Sequence, residues 1–493
     1  MDHLPAVDLA VLLVYLGATV GLGCWFGLRK RNTEEFMAGG RALPVWAVGL
    51  SMFGSYISSI SFLGNPGKSF ATNWNYFAFG LATPLAALIA VKWFVPFYRR
   101  TGEVSAYEHL ERRFGLWART YAVVCFLLTQ MARNGTIVYL LALAVSPLTG
   151  WSVPMVIAMT GALMVLYTIF GGMEAAVWIG VVQSVVLILG PIVCLVALLS
   201  QVPGGLPKIV SLAADNHKFS LGRSPDTTQP TFWVVLIYGM VINLGNFGID
   251  QSYVQRYVTT RDEKGAKQSV WIASLLYVPV SAIFFFIGTA LWALYMARPE
   301  FISGSIDVSK RPDDVFPFFI AHNLPIGMSG LVVAAIFAAS MDSSLSSMAT
   351  LSLCDIYKRY FRPEASEKES MFVLHVSTIL WGVLCTAAAL AMIQVRNVLD
   401  VWWNFAGIFS GGMLGLFLLG LISRRANNAI AAVAVVVGVL VILWMSISPT
   451  KAWPESWSAF RSPFHDYLTT VFGTLAILIV GLVLSIFRRG KQA

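Results

Sequence analysis

An all-α polytopic membrane protein is the fold class this sequence predicts, and three observations carry the prediction. Hydrophobic residues make up 57% of the 493 and charged residues 12%, with a mean hydropathy of +0.71, a balance foreign to water-soluble domains of this length. Apolar windows of about 20 residues, enough to cross a bilayer as a helix, recur along the whole chain. The basic residues are sorted between alternate connections rather than spread evenly.

In chain order the windows fall near 6–27, 45–65, 75–98, 121–147, 152–171, 178–200, 232–253, 270–296, 315–354, 371–394, 400–423, 428–447 and 466–487. That makes about 13 transmembrane helices. The first is read as a retained helix, because "MDHLPAVDLA" has neither a basic n-region nor a small-residue cleavage site. With the N-terminus outside, roughly 22 of the 34 Lys and Arg fall in cytoplasmic connections, and only Lys92 and Arg133 fall within helices. This positive-inside bias predicts N outside and C inside, in the cell inner membrane or plasma membrane. It also accounts for the net charge of +9 without a nucleic-acid partner. The five cysteines are scattered with no CxxC pair, and the six histidines lie mostly at loops or span ends. Neither a disulfide framework nor the His/Cys/Asp cluster of an enzyme is expected.

Two windows cannot run as unbroken helices. In the second, "SMFGSYISSISFLGNP" packs Gly54, Ser55, Ser58, Ser59 and Ser61 ahead of Gly64, Asn65 and Pro66. In the seventh, "MVINLGNFGIDQ" holds Asn243, Gly245, Asn246 and Gly248. Small residues also serve close helix packing, but unwound backbone at bilayer depth is tolerated where it lines a cavity. Interrupted segments five spans apart point to an inverted repeat whose broken helices meet at a midplane site. The chain then divides into an extra helix at 1–30, repeats at 45–200 and 232–425, and two C-terminal helices with a short tail at 426–493. Freed carbonyls at Gly54 and Ile57 are oxygen ligands of the kind a hard cation prefers.

Five motifs carry a family resemblance: "EEFMAGGRALPVWAVGLSMF" (34–53), "FGGMEAAVWIGVVQS" (170–184), "DQSYVQRY" (250–257), "LCDIYKRY" (353–360) and "GIFSGGMLGLFLLGLISRRAN" (407–427). Together they resemble the solute:sodium symporter family from about residue 10 to 425. The resemblance implies a leucine-transporter-like inverted repeat of 5+5 helices with extra flanking helices, and import of a solute with sodium. It implies a sodium site built from the backbone of Gly54 and Ile57 with residues of the ninth span. The solute would lie beside Tyr56, Ser58, Ser61, Tyr76, Arg133 and Asn243. Two departures stand out. Gly180 occupies the place of an aspartate that, in sialic-acid-carrying members, helps hold a second sodium. Asp342, among the serines of "AASMDSSLSS", brings an acid that the family pattern lacks. Aligned forward from "LVVAAIF" (331–337), Ala339, Asp342 and Ser343 fall on the first sodium site at helical spacing. Aligned backward from "CDIY", Ala339 and Ser340 take that place, and Asp342 and Ser343 take the second. Both registers set Asp342 against sodium.

Arg133 lies roughly 18 Å from either end of its helix, too deep to snorkel, so it needs an anionic partner. Either a solute carboxylate meets the planar guanidinium fork, or an internal acid such as Asp342 or Asp250 does. Tyr56 and Tyr76 offer aromatic faces with a polar handle. One sodium entering down a tenfold gradient supplies about 1.4 kcal/mol, and 100 mV adds about 2.3 kcal/mol per net charge. A monoanion moved with one sodium forfeits the voltage contribution, so an anion importer gains from a second cation. The expected function is sodium-coupled import of a small organic solute by alternating access, a carboxylated sugar such as sialic acid leading. The alternatives are a neutral sugar of the glucose or galactose type, or another small carboxylate or amino acid. The expected partners are solute, sodium and the lipid bilayer, with no obligatory protein partner.

Overall fold

The computed structural model describes residues 5–27, 32–301, 312–341, 344–394, 398–451 and 453–487. Among them the chain is helical, with one bridge of extended backbone between Leu43 and Thr260. The helices that build the core and the site are α1 (Ala6–Gly27), α2 (Val45–Tyr56), α3 (Ser59–Ala71), α4 (Asn75–Thr101), α5 (Leu116–Thr149), α6 (Val153–Gln201), α7 (Phe232–Gly248) and α8 (Gln251–Tyr257). They continue as α9 (Glu263–Ala297), α10 (Met328–Ser340), α11 (Ser344–Leu351), α12 (Glu367–Ala391), α13 (Val398–Ile422), α14 (Asn428–Ile447) and α15 (Leu468–Phe487). Among the described residues, nine helices are long and apolar enough to cross a membrane, or 11 spans if each bent pair counts as one.

Both windows expected to break do so. Val45–Tyr56 meets Ser61–Ala71 at 54°, and α7 meets α8 at 56°. One further interruption falls between two windows read as separate spans, and a second was not foreseen. At 49 residues, α6 would be roughly 74 Å long at 1.5 Å per residue, more than twice a bilayer. It turns at Gly172 (φ 53°, ψ −152°), so its halves correspond to the windows at 152–171 and 178–200. A Cβ at Gly172 would lie 2.9 Å from Phe36, which leaves the position to glycine. The window at 315–354 is not one helix either. It comprises the short helix Val315–His322, then α10, then α11, and α10 ends with Met341 at ψ 63°.

Polar anchors fix helix ends. Asp8 of α1 is fully buried; its Oδ1 accepts the amides of Gly327 (3.0 Å) and Gly330 (2.6 Å). A carboxylate there satisfies orphan donors at the positive end of α10. At the other pole, Lys218 Nζ donates to the carbonyls of Phe70 (2.6 Å) and Thr72 (2.9 Å) at the C-terminal end of α3. Burial pushes this lysine down to about 8, while the carbonyl cage and the Trp292 ring 4.9 Å away favour the cation.

Candidate functional site

The two breaks open onto one cavity of about 200 Å³. Tyr56, Ser58 and Ser61 line it from the first break, and Ile249, Asp250 and Tyr253 from the second. From α5 come Phe126, Thr129, Gln130 and Arg133, with the 3–4 spacing of one helix face. Tyr56 sits in an aromatic box, its ring 5.6 Å from Phe247, 5.0 Å from Tyr253 and 5.4 Å from Tyr277. Arg133 donates through a terminal nitrogen to the carbonyl of Ser55 at 3.0 Å, a cation at the C-terminal end of α2. Asp250 accepts from Gln130 at 3.0 Å and from the Ser252 amide at 2.8 Å.

Of the residues predicted to meet solute, Tyr56, Ser58, Ser61 and Arg133 line this cavity; Tyr76 and Asn243 do not. The α7 residues on it are Tyr238, Val241, Ile242, Gly245 and Asn246, a stripe at i, i+3, i+4, i+7 and i+8. Asn243 is off that stripe, fully buried, and its amide donates back to the carbonyl of Gly239 at 2.7 Å. Tyr76 stands further out, edge-on to Tyr467 at 6.4 Å and with Lys68 5.2 Å from its ring. Asn246 and Phe79 hold the cavity positions instead. Ser410, Met413 and Leu414 of α13 and Thr470 of α15 complete the wall. Sequence reasoning missed these four, which are hundreds of residues from the first break and stand in plain apolar runs.

Beside this cavity lies a much smaller one of about 10 Å³, the space of one water-sized species. Gly54, Ser55, Ile57, Ser58, Arg133, Ile137, Gln183, Ala338 and Ala339 line it. The predicted sodium residues Gly54, Ile57 and Ala339 are thus together, and Arg133 borders both cavities. Ser340 is not on it: its hydroxyl is turned back to the Ile336 carbonyl at 2.9 Å. α10 ends at Ser340, with Met341 as its C-cap residue. Asp342 and Ser343 themselves lie outside the described residues. The Met341 carbonyl freed there accepts Gln183 (2.8 Å) and the Tyr167 hydroxyl (3.2 Å).

Gly180 marks a close approach. A Cβ on it would lie 2.4 Å from Ser51 Oγ, and one on Gly54 would lie 2.7 Å from Ser184 Oγ. Ser184 in turn donates to the carbonyls of Leu50 (2.6 Å) and Gly180 (2.7 Å). Helices α2 and α6 therefore touch through small residues at Gly180 and Gly54.

Away from the cavities, Gln251 binds backbone, accepting the Ala106 amide and donating to the Val104 carbonyl, each at 2.8 Å. The ionic network lies alongside. Asp355 accepts from Arg119 (2.5 Å) and Ser105 (2.7 Å), and Glu111 from Arg119 (2.9 Å) and Arg359 (2.8 Å). In the 102–107 connection, the buried Glu103 carboxylate lies 3.0 Å from Arg112. Burial raises it to about 7 against that attraction.

A model of the sodium:solute symporter family matches residues 36–438. The chain is 32% identical to the sodium/sialic acid symporter NanT of Aliivibrio fischeri, over 95% of this chain and 91% of that protein. It is 30% identical to the sodium/sialic acid symporter SiaT of Proteus mirabilis, over 99% and 96%. Among solved structures, a substrate-bound outward-open state of a Na+-coupled sialic acid symporter superposes with a TM-score of 0.91, at 29% identity and over 99% of both chains. The nucleobase-cation-symport-1 transporter Mhp1 shares the fold at a TM-score of 0.54 and 17% identity, over 92% and 93%. With its described helices and these bacterial relatives, this is a multi-pass protein of the plasma or inner membrane. The chain belongs to the sodium:solute symporter family.

Proposed function

We propose that this protein is a sodium-coupled symporter that imports a carboxylated sugar such as sialic acid by alternating access. The observation that carries the reading is Arg133, a guanidinium bordering both the larger cavity and the small one beside it. A carboxylate in the larger cavity would meet its planar fork, and sodium in the small one would use backbone oxygens around Gly54, Ile57 and Ala339. Ser58 and Ser61 would donate to or accept from sugar hydroxyls. The solute identity follows the sialic acid symporters that this chain resembles.

The architecture in this reading is 13 spans with N outside and C inside. The extra helix at 1–30 precedes repeats at 45–200 and 232–425, and 426–493 follows them. The matching bends of 54° and 56° support the inverted repeat, since each falls at the first span of its repeat. Sodium-gradient-driven uptake into proteoliposomes tests the function. Sialic acid should accumulate against its gradient and only with sodium inward; accumulation of neutral sugars alone would replace the substrate assignment.

A second sodium belongs to the same reading. Asp342 would take over from the acid absent at Gly180, with Ser343 beside it. The buried hydroxyls of Ser346 and Ser347, which make no hydrogen bond among the described residues, support an oxygen-rich site in this stretch. Asp342→Ser should then lower the sodium Hill coefficient toward one. Restoring an acid with Gly180→Asp requires Ser51→Gly as well, because Ser51 fills that space. An unchanged sodium dependence in Asp342→Ser removes the second ion from the mechanism.

A further inference from the structure

Lys92 is the one charged residue in the window 75–98, and it borders neither cavity. It sits in a π-helical turn, Ala90–Phe94, that interrupts α4, a local widening that recurs at functional positions. Its ammonium lies 4.8 Å from the ring centre of Trp93, which is 55% exposed. Below it opens a pocket of about 390 Å³ between Lys92, Trp93, Phe97 and Arg100 of α4 and Glu263 and Lys267 of α9. Glu263 balances Lys267 at 2.7 Å, so Lys92 and Arg100 leave the pocket net positive. The neighbouring Arg99 belongs to the wall, donating to the carbonyls of Val258 (2.9 Å), Thr260 (3.0 Å) and Arg261 (2.9 Å).

Above the pocket the same helix face is apolar. Leu85 and Leu88 are 50% and 59% exposed; they are three residues apart, and Lys92 follows Leu88 by four along one stripe. The pocket lies where α4 ends and α9 begins, at the end that the positive-inside bias gives to the cytoplasm. An exposed tryptophan beside cations is the composition of a membrane interface, and basic pockets between spanning helices on that side suit anionic lipid headgroups. We infer that this pocket binds an anionic phospholipid, its phosphodiester between Lys92 and Arg100 and its acyl chains along Leu88 and Leu85. Free phosphate shares the headgroup chemistry but has nothing to lay on the stripe.

Native mass spectrometry of the delipidated full-length protein, titrated with phosphatidylglycerol or phosphatidylcholine, tests this. Phosphatidylglycerol should bind at least about tenfold more tightly, and replacing two membrane-surface cations, Lys92→Gln with Arg100→Gln, should weaken it about 25-fold. Glu263→Gln should tighten it about fivefold by removing the opposing charge. Millimolar inorganic phosphate should leave lipid occupancy unchanged. Equal binding of the two lipids, or displacement by inorganic phosphate, overturns the inference. If the double variant does not purify folded, Lys92→Gln and Glu263→Gln decide singly, and unaltered affinity in both overturns it.

Discussion

The two broken spans bend by nearly the same angle, 54° and 56°, yet they settle their freed backbone groups to different degrees. The second break closes on itself. The amides of Ile249 and Asp250 both donate to the Gly245 carbonyl, at 2.8 and 3.0 Å, and the Asp250 carboxylate caps α8 through Ser252. The first break closes more loosely, its Ile57 amide reaching the Gly54 carbonyl only at 3.3 Å, and it draws on a partner from another helix. Ile57 is extended, the N-cap residue Ser58 makes no side-chain capping bond, and the Ser55 carbonyl is taken by Arg133 from another helix. Unwound backbone at bilayer depth must be satisfied by something. A tightly closed break suits a scaffold, whereas a loosely closed one keeps its backbone oxygens accessible to the proposed ion. The small cavity is lined by Gly54, Ser55, Ile57 and Ser58 of that loosely closed break.

The largest expected effect tests the outside partner. Arg133→Gln removes a charge-assisted donor set worth about 1.5–3 kcal/mol, so uptake of a carboxylated solute should fall about 100-fold. Arg133→Lys should recover little, since an ammonium lacks the planar fork. Proteoliposome uptake with a carboxylated sugar and its neutral amide counterpart is the measurement. Loss confined to the carboxylated solute places the arginine on the solute, and equal loss of both restricts it to holding the first break together.

Next in size is the loosely closed break itself. Gly54→Ala puts a Cβ 2.7 Å from Ser184 Oγ and 3.3 Å from the Gly180 carbonyl. Ser184 cannot yield freely, because it already holds two carbonyls, so α2 must move away from α6. The sodium KM should rise about tenfold, equivalent to about 1.4 kcal/mol, with solute KM at saturating sodium little changed. An unaltered sodium KM would show that the first break is not the cation's seat.

The self-capped break should respond to geometry rather than charge. Asparagine caps as well as aspartate, whereas alanine costs about 1 kcal/mol. Asp250→Asn should therefore melt with the wild type, Asp250→Ala several degrees lower, and neither should shift the sodium KM more than about twofold. A large sodium effect in Asp250→Asn would erase the distinction between the breaks.

Where the sequence was legible, it was because a residue violated its surroundings. Arg133 in an apolar helix, and the Gly/Ser cluster around Ser58, contradict the hydropathy of their windows, and both reach the cavity. Asn243 also violates its window, but burial depth alone does not say which helix face points inward, and one residue of rotation turned it toward Gly239. The end of α10 at Ser340 had no glycine or proline to announce it. Its cause is tertiary: Gln183 and Tyr167 bind the Met341 carbonyl that the chain gives up there. The lining from α13 and α15 depends on long-range packing, which no local pattern encodes.

The smallest effect concerns what the capped break rests on. Gln251, first residue of α8, holds the 102–107 connection through Val104 and Ala106, and Glu103 is buried in that connection with its carboxyl raised to about 7. A carboxyl raised on folding binds more protons in the folded state than in the unfolded one, whose value is near 4.5. Its contribution is therefore fully present below about pH 4.5 and is lost as pH rises through about 7. Glu103→Gln carries no such penalty. It should match the wild type in melting temperature at pH 5 and exceed it at pH 8, by a margin on the order of 1 kcal/mol after allowing for the Arg112 attraction. The loosely closed break shares none of these bonds, so sodium KM in Glu103→Gln should keep the wild-type pH profile. If the sodium KM follows the melting temperature across that range, the two breaks are mechanically coupled through α5, and the division between scaffold and ligand site gives way to a single linked unit.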